Sequence, residues 1–97
     1  MATYIMLVNW TDQGVRTAKD TVNRARAFRE TSKAMGVTVS SLNWTLGAYD
    51  LVISIDSPDD ETTTRLGLAV AALGNVRTST MRAFGEDEMA RIVGGLK

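Results

Sequence analysis

The segment Leu46-Gly47-Ala48-Tyr49-Asp50-Leu51 lies between two runs of alternating polarity, Val37 to Leu46 and Leu51 to Asp56. Glycine adopts positive φ at no steric cost, so Gly47-Ala48 suits a two-residue type II′ turn and the two runs form an antiparallel hairpin. The register pairs Leu46 with Tyr49, Thr45 with Asp50 and Trp44 with Leu51. Side chains alternate across a strand, so Leu42, Trp44, Leu46, Tyr49, Leu51, Ile53 and Ile55 share one face. Ser41, Asn43, Thr45, Asp50, Val52 and Ser54 share the other.

Each arm of this hairpin continues into a helix and a further strand. Tyr4 to Asn9 is an apolar run of strand formers, short enough for a buried strand. Thr11-Asp12-Gln13-Gly14 supplies caps and a turn, and Val15, Ala18, Val22, Ala25, Phe28 and Met35 recur at helical spacing, with a break near Lys19-Asp20 and Gly36 as the stop. Ser57-Pro58-Asp59-Asp60-Glu61 reads as a second helix start, with Ser57 as cap, proline at the first helical position and acids at the positive end of the dipole. That helix carries Leu66, Ala69, Val70 and Leu73 on its apolar stripe and stops at Gly74-Asn75. Val76 to Phe84 is a fourth strand, and Glu86-Asp87-Glu88 opens a short last helix whose Met89, Ile92 and Val93 are expected to dock on the body.

The order βαββαβα, with right-handed crossovers, leads to an α+β, ferredoxin-like sandwich: a four-stranded antiparallel sheet in order 4-1-3-2 with both long helices on one face. The first strand is an almost unbroken apolar run, and its parity has two solutions. The preferred one places Ile5 and Leu7 under the helices and Tyr4, Met6, Val8 and Trp10 on the open face; the alternative is the reverse. An open apolar face of that size exceeds what a soluble monomer exposes, and a two-fold homodimer with sheets face to face would bury it.

Composition narrows the chemistry. Ninety-seven residues form one domain, residues 1–97, and eleven basic residues balance eleven acidic ones, so there is no positive field for nucleic acid. The chain contains neither cysteine nor histidine. Thiol nucleophiles, thiolate metal sites, Ser-His pairs and the usual neutral-pH acid-base are therefore absent from a single chain. No metal and no cofactor is expected. Nothing approaches the roughly 18 apolar residues of a membrane span, and a cytoplasmic protein with no membrane partner is the expectation.

Four segments converge on one end of this sheet, bringing together Asn9, Trp10, Asn43, Trp44, Tyr49, Asp50 and Arg77. The tryptophans can stack on a flat ligand and the asparagines can bond its carbonyl or hydroxyl. Core or interface packing is the better account of each tryptophan, and a turn aspartate ordinarily accepts bonds from its own turn or pairs with an arginine such as Arg77. Arg16, Lys19, Arg24, Arg26, Arg29 and Lys33 line the first helix and its approach, which reads as a solvated outer face. Asp59, Asp60 and Glu61 read as dipole partners rather than metal ligands.

The opening Tyr4-Ile-Met-Leu-Val-Asn-Trp-Thr-Asp-Gln-Gly14, the turn Leu46-Gly-Ala-Tyr-Asp-Leu-Val52, the start Ser57-Pro-Asp-Asp-Glu-Thr62, and Ala71-Ala-Leu-Gly-Asn-Val-Arg-Thr78 with Arg82-Ala-Phe84 together resemble the GYD domain family. The resemblance implies a ferredoxin-like dimeric α/β barrel and supplies no reaction, because the family is largely uncharacterised. The functional expectation is a homodimer that binds a small organic molecule or serves assembly. The alternative is a cofactor-independent monooxygenase- or isomerase-like enzyme acting on a small aromatic or polyketide-like substrate, in which Asn9, Asn43 and Asp50 polarise the substrate. Haem-degrading chemistry on this architecture depends on a histidine ligand, which the chain lacks.

Overall fold

A computed structural model describes residues 1–97, with strands β1 (Ala2–Trp10), β2 (Thr38–Trp44), β3 (Leu51–Ser57) and β4 (Val76–Ala83). The helices are α1 (Asp12–Arg16), α2 (Thr21–Ala34), α3 (Asp60–Ala71) and α4 (Glu86–Gly94). The sheet is antiparallel in order β2-β3-β1-β4, the same arrangement as the expected 4-1-3-2. The helical break expected near Lys19-Asp20 is a 3-10 turn at Ala18–Asp20 that separates α1 from α2.

The hairpin register fixes everything beside it. Trp44 lies opposite Leu51 and Leu42 opposite Ile53, so the apolar residues of β3 point under the helices. Antiparallel pairing then sets Val8 opposite Leu51, Met6 opposite Ile53 and Tyr4 opposite Ile55. Directly paired residues share a face, so the preferred parity of β1 is overturned: Tyr4, Met6 and Val8 are buried under the helices, and Ile5 and Leu7 face the open side. The apolar centre of the strand marks no face, but the polar residues at its two ends, Thr3 and Asn9, share the parity of Ile5 and Leu7 and lie with them on the open side. The core comprises these three residues with Leu51, Ile53, Ile55, Phe28, Val37 and Leu66.

Three further expectations change. The turn is a four-residue loop, Leu46–Tyr49, in which Leu46 makes no backbone bond to Tyr49. It is closed by Thr45 N–H to the Asp50 carbonyl (2.8 Å) and Thr45 Oγ1 to the Tyr49 carbonyl (2.5 Å). Gly47 still uses positive φ, at 121°. Ser57 does not cap α3, because it pairs with Ala2 at the end of β3 and is fully buried. The cap is Asp59, whose Oδ1 accepts the Thr62 N–H at 2.8 Å. Finally, α4 does not dock on the body: it buries no residue, and Met89, Ile92 and Val93 stay exposed.

Gly14, expected in a turn, lies inside α1 against the α3–β4 connection. A Cβ on Gly14 would stand 2.0 Å from the Asn75 carbonyl oxygen. That approach lets Thr11 N–H reach the same oxygen (3.1 Å) and Thr11 Oγ1 reach the Gly74 carbonyl (2.5 Å). Thr11 also caps α1 by accepting the Gly14 N–H.

Candidate functional site

Helices α2 and α3 lie over the same sheet face. Between them lies a cleft of about 160 Å³. Its floor is Met6, Val8, Trp10, Leu51 and Ile53, and its walls include Ala25 and Phe28 of α2 and Val70 of α3. Polar groups stand among these: Thr21, Arg24, Thr31, Asn75 and Thr78. No lining residue is a carboxylate. The volume is close to the ~150 Å³ apolar cavity that accepts benzene, so the cleft is of single-ring size.

Arg24 belongs to the mouth of this cleft rather than to a solvated outer face. Its guanidinium donates to the Gly14 carbonyl (3.1 Å), the Thr17 carbonyl (3.1 Å) and Thr17 Oγ1 (2.8 Å), fixing α1 against α2. The other five basic residues named with it are exposed.

The seven residues singled out from the sequence do gather at one end of the sheet, but on two faces. Trp10 lines the cleft. Trp44 points the same way, and its indole Nε1–H donates to Thr21 Oγ1 (3.0 Å), latching the hairpin to the start of α2. Asn9 and Arg77 lie opposite each other on β1 and β4, and Asn43 lies opposite Val52; by register these three fall on the open face, and Arg77, on the edge strand, also borders α3. The Asp50 carboxylate accepts the Trp10 N–H at 2.9 Å, and it has no ion pair with Arg77. Tyr49 is on the loop and partly exposed. Sequence reasoning does not select Phe28, Val70, Thr21 or Thr78 as site residues. Phe28 and Val70 are visible as helix-stripe positions, and Thr78 as the neighbour of Val8 once the sheet order is known.

A second, wider groove of about 780 Å³ runs between α3 and the edge strand β4. Several of its polar groups are already engaged. The Tyr4 hydroxyl donates to the Asp60 carboxylate, and that bond, with burial of the ring, holds the phenol above its ordinary value of 10.0. The Arg82 guanidinium pairs with Glu88 (2.9 Å) and donates to the Thr3 carbonyl (3.2 Å). Arg82 and the Gly85 N–H together hold the Glu88 carboxyl below its ordinary value of 4.5. Asp59 and Asp60 are thus taken up by the cap and by Tyr4.

The open face presents Ile5, Leu7, Val52 and Met81 at its centre, bordered by Asn43, Ser79 and, at the far end, Asp56. Asp56 accepts from Thr3 Oγ1 (2.9 Å) and Ser40 Oγ (3.0 Å). No helix of the chain is long and apolar enough to cross a membrane.

Fold and cleft together define an α+β sandwich of ferredoxin-like class with one helix-covered and one uncovered sheet face. The model of the GYD domain matches residues 4–93, nearly the whole chain, and the chain belongs to the GYD domain family. No curated protein matches it.

Proposed function

We propose that this domain is a homodimeric binding module that takes a compact, largely apolar organic molecule in the cleft between α2 and α3. The cleft itself carries the reading: a single-ring volume with an apolar floor and a few polar groups to orient a ligand, which is the usual composition of a small-molecule site. Arg24, Thr21 and Asn75 suit a ligand with one hydroxyl or carboxylate at its rim.

Binding is favoured over turnover by the chemistry of the lining. A general base is needed for isomerase- or oxygenase-type proton abstraction, and the lining offers none. Asn9 and Asn43 lie on the opposite face, and Asp50 is engaged with the Trp10 backbone. The homodimer is supported by the uncovered Ile5, Leu7, Val52 and Met81, which sheet-on-sheet packing would remove from water.

A thermal-shift series with phenol, benzoate and toluene tests the binding reading. Saturable stabilisation by at least one of them is expected, lost in Ala25→Phe, which fills the cleft. Equal shifts in both proteins would contradict it.

A further inference from the structure

Both ends of the sheet carry apolar side chains that the chain leaves exposed in part or in full. At the hairpin end Leu46 is fully exposed, and Trp44 and Tyr49 are more than a third exposed. At the other end β4 leaves the sheet opposite Thr3 and passes through Phe84 into α4. Met89, Ile92 and Val93 are 43, 46 and 50% exposed and form one stripe on that helix.

A nine-residue helix with no packed face is marginal in water, so α4 needs a surface to fold against. Its root is nevertheless fixed. Arg82 pairs with Glu88 at 2.9 Å and lies 4.5 Å over the Phe84 ring, and Glu88 accepts the Gly85 N–H at 3.3 Å. These contacts hold the start of the helix, while no residue of its stripe is buried.

Surface and shape indicate the size of what is missing. The chain exposes 6446 Å², whereas a compact monomer of 10.5 kDa exposes about 5,400 Å². The surplus, on the order of 1,000 Å², is close to the roughly 800 Å² that each partner contributes to a standard interface. The longest dimension is 52 Å, against about 30 Å for the nine residues of β1. Hairpin and α4 overhang opposite ends of the sheet. A two-fold axis perpendicular to the strands therefore brings each overhang of one copy onto the other overhang of its partner, making the same contact twice. Charge agrees, since Arg77 at the hairpin end and Glu86 and Asp87 on α4 all lack an ion-pair partner within the chain.

We infer that α4 is an exchanged arm, and that in the dimer the Met89, Ile92 and Val93 stripe of each copy packs on Leu46 and Tyr49 of a second copy of this chain. The inference rests on the homodimer proposed above. It gives the Gly47-Ala48-Tyr49-Asp50 loop an assembly role, which is to present Leu46 and Tyr49 to the partner's last helix.

The chain has no cysteine, so single reporters can be placed cleanly. Leu46→Cys and Ile92→Cys chains, both altered at exposed positions, are mixed, allowed to exchange subunits and treated with a short bismaleimide, while sedimentation reports the assembly. The expected result is a dimer whose dominant cross-link joins the two different chains, lost when Met89→Asp is added to the Ile92→Cys chain. A dimer without that link, or a link formed within one chain carrying both cysteines at high dilution, overturns the exchanged arm alone. A monomer by sedimentation overturns the homodimer and the arm together.

Discussion

The carboxylate of Asp50 accepts the backbone N–H of Trp10 at 2.9 Å, while the Asp50 N–H donates to the Val8 carbonyl at 2.8 Å. One loop residue thus bonds twice to the end of β1, and it secures the strand that carries Trp10 into the cleft. A bond from a carboxylate to a partly buried N–H contributes about 1.5–3 kcal/mol. Asp50→Ala is expected to lose stability in that range by urea denaturation, and Asp50→Asn, which keeps a carbonyl acceptor, less. An unchanged midpoint in Asp50→Ala would remove this role.

Two glycine substitutions are expected to act in opposite directions. Gly14→Ala drives a Cβ to 2.0 Å from the Asn75 oxygen, where backbone must move. Overpacking of this kind costs about 1–3 kcal/mol. At Gly67, within α3, a Cβ would meet only Thr78 Oγ1, at 3.7 Å, an ordinary contact. Gly67→Ala is expected to gain about 0.5–1 kcal/mol from helix propensity. Chemical denaturation of both variants distinguishes tight from open placement.

The hairpin, the sheet order and the helical break are legible in the sequence because polarity alternates in β3 and because Lys19-Asp20 interrupts the apolar spacing of the first helical region. The parity of β1 is not legible within Tyr4 through Val8, which contains no polar residue to mark a face; the signal lies at the strand's ends, where Thr3 and Asn9 share the open face, and the pairing with β3 agrees with it. Ser57 resembles a cap in composition, but the β1–β3 ladder extends as far as this serine and transfers the cap to Asp59. The candidate site is legible as a sheet end but not as a face. Tryptophan and asparagine neighbours in sequence point to opposite sides of a strand, so Trp10 enters the cleft while Asn9 lies behind it.

Three side chains titrate away from their ordinary values, two downward and one upward. The Thr62 N–H lowers Asp59 from its ordinary 3.8, and Arg82 lowers Glu88 from 4.5. A depressed carboxylate stabilises the fold fully above its unfolded pKa and ceases to as pH falls through its lower folded value. Asp59→Asn is therefore expected to show a shallower fall in Tm on acidification than the parent chain. Tyr4 is raised, so its contribution is present below pH 10.0 and is lost as pH rises through the higher folded value. Absorbance titration at 295 nm is expected to contain a late component that Tyr4→Phe removes and Asp60→Asn moves to lower pH.

Leu7→Asp places a charge at the centre of the open face, where sheet-on-sheet packing would bury it. Sedimentation is expected to show loss of the dimer with the far-ultraviolet circular dichroism unchanged. Leu68→Asp, at an exposed position on α3, is the control and should remain dimeric.

Titration of isotopically labelled protein with benzoate and toluene, followed by methyl and amide NMR, decides whether the space between α2 and α3 is a ligand cleft. Saturable shifts confined to Val8, Leu51, Ile53, Val70 and the Trp10 indole, absent in Ala25→Phe, are the predicted result. Shifts centred instead on Asn9, Asn43 and Val52 of the open face, or no saturable shifts at all, would contradict it.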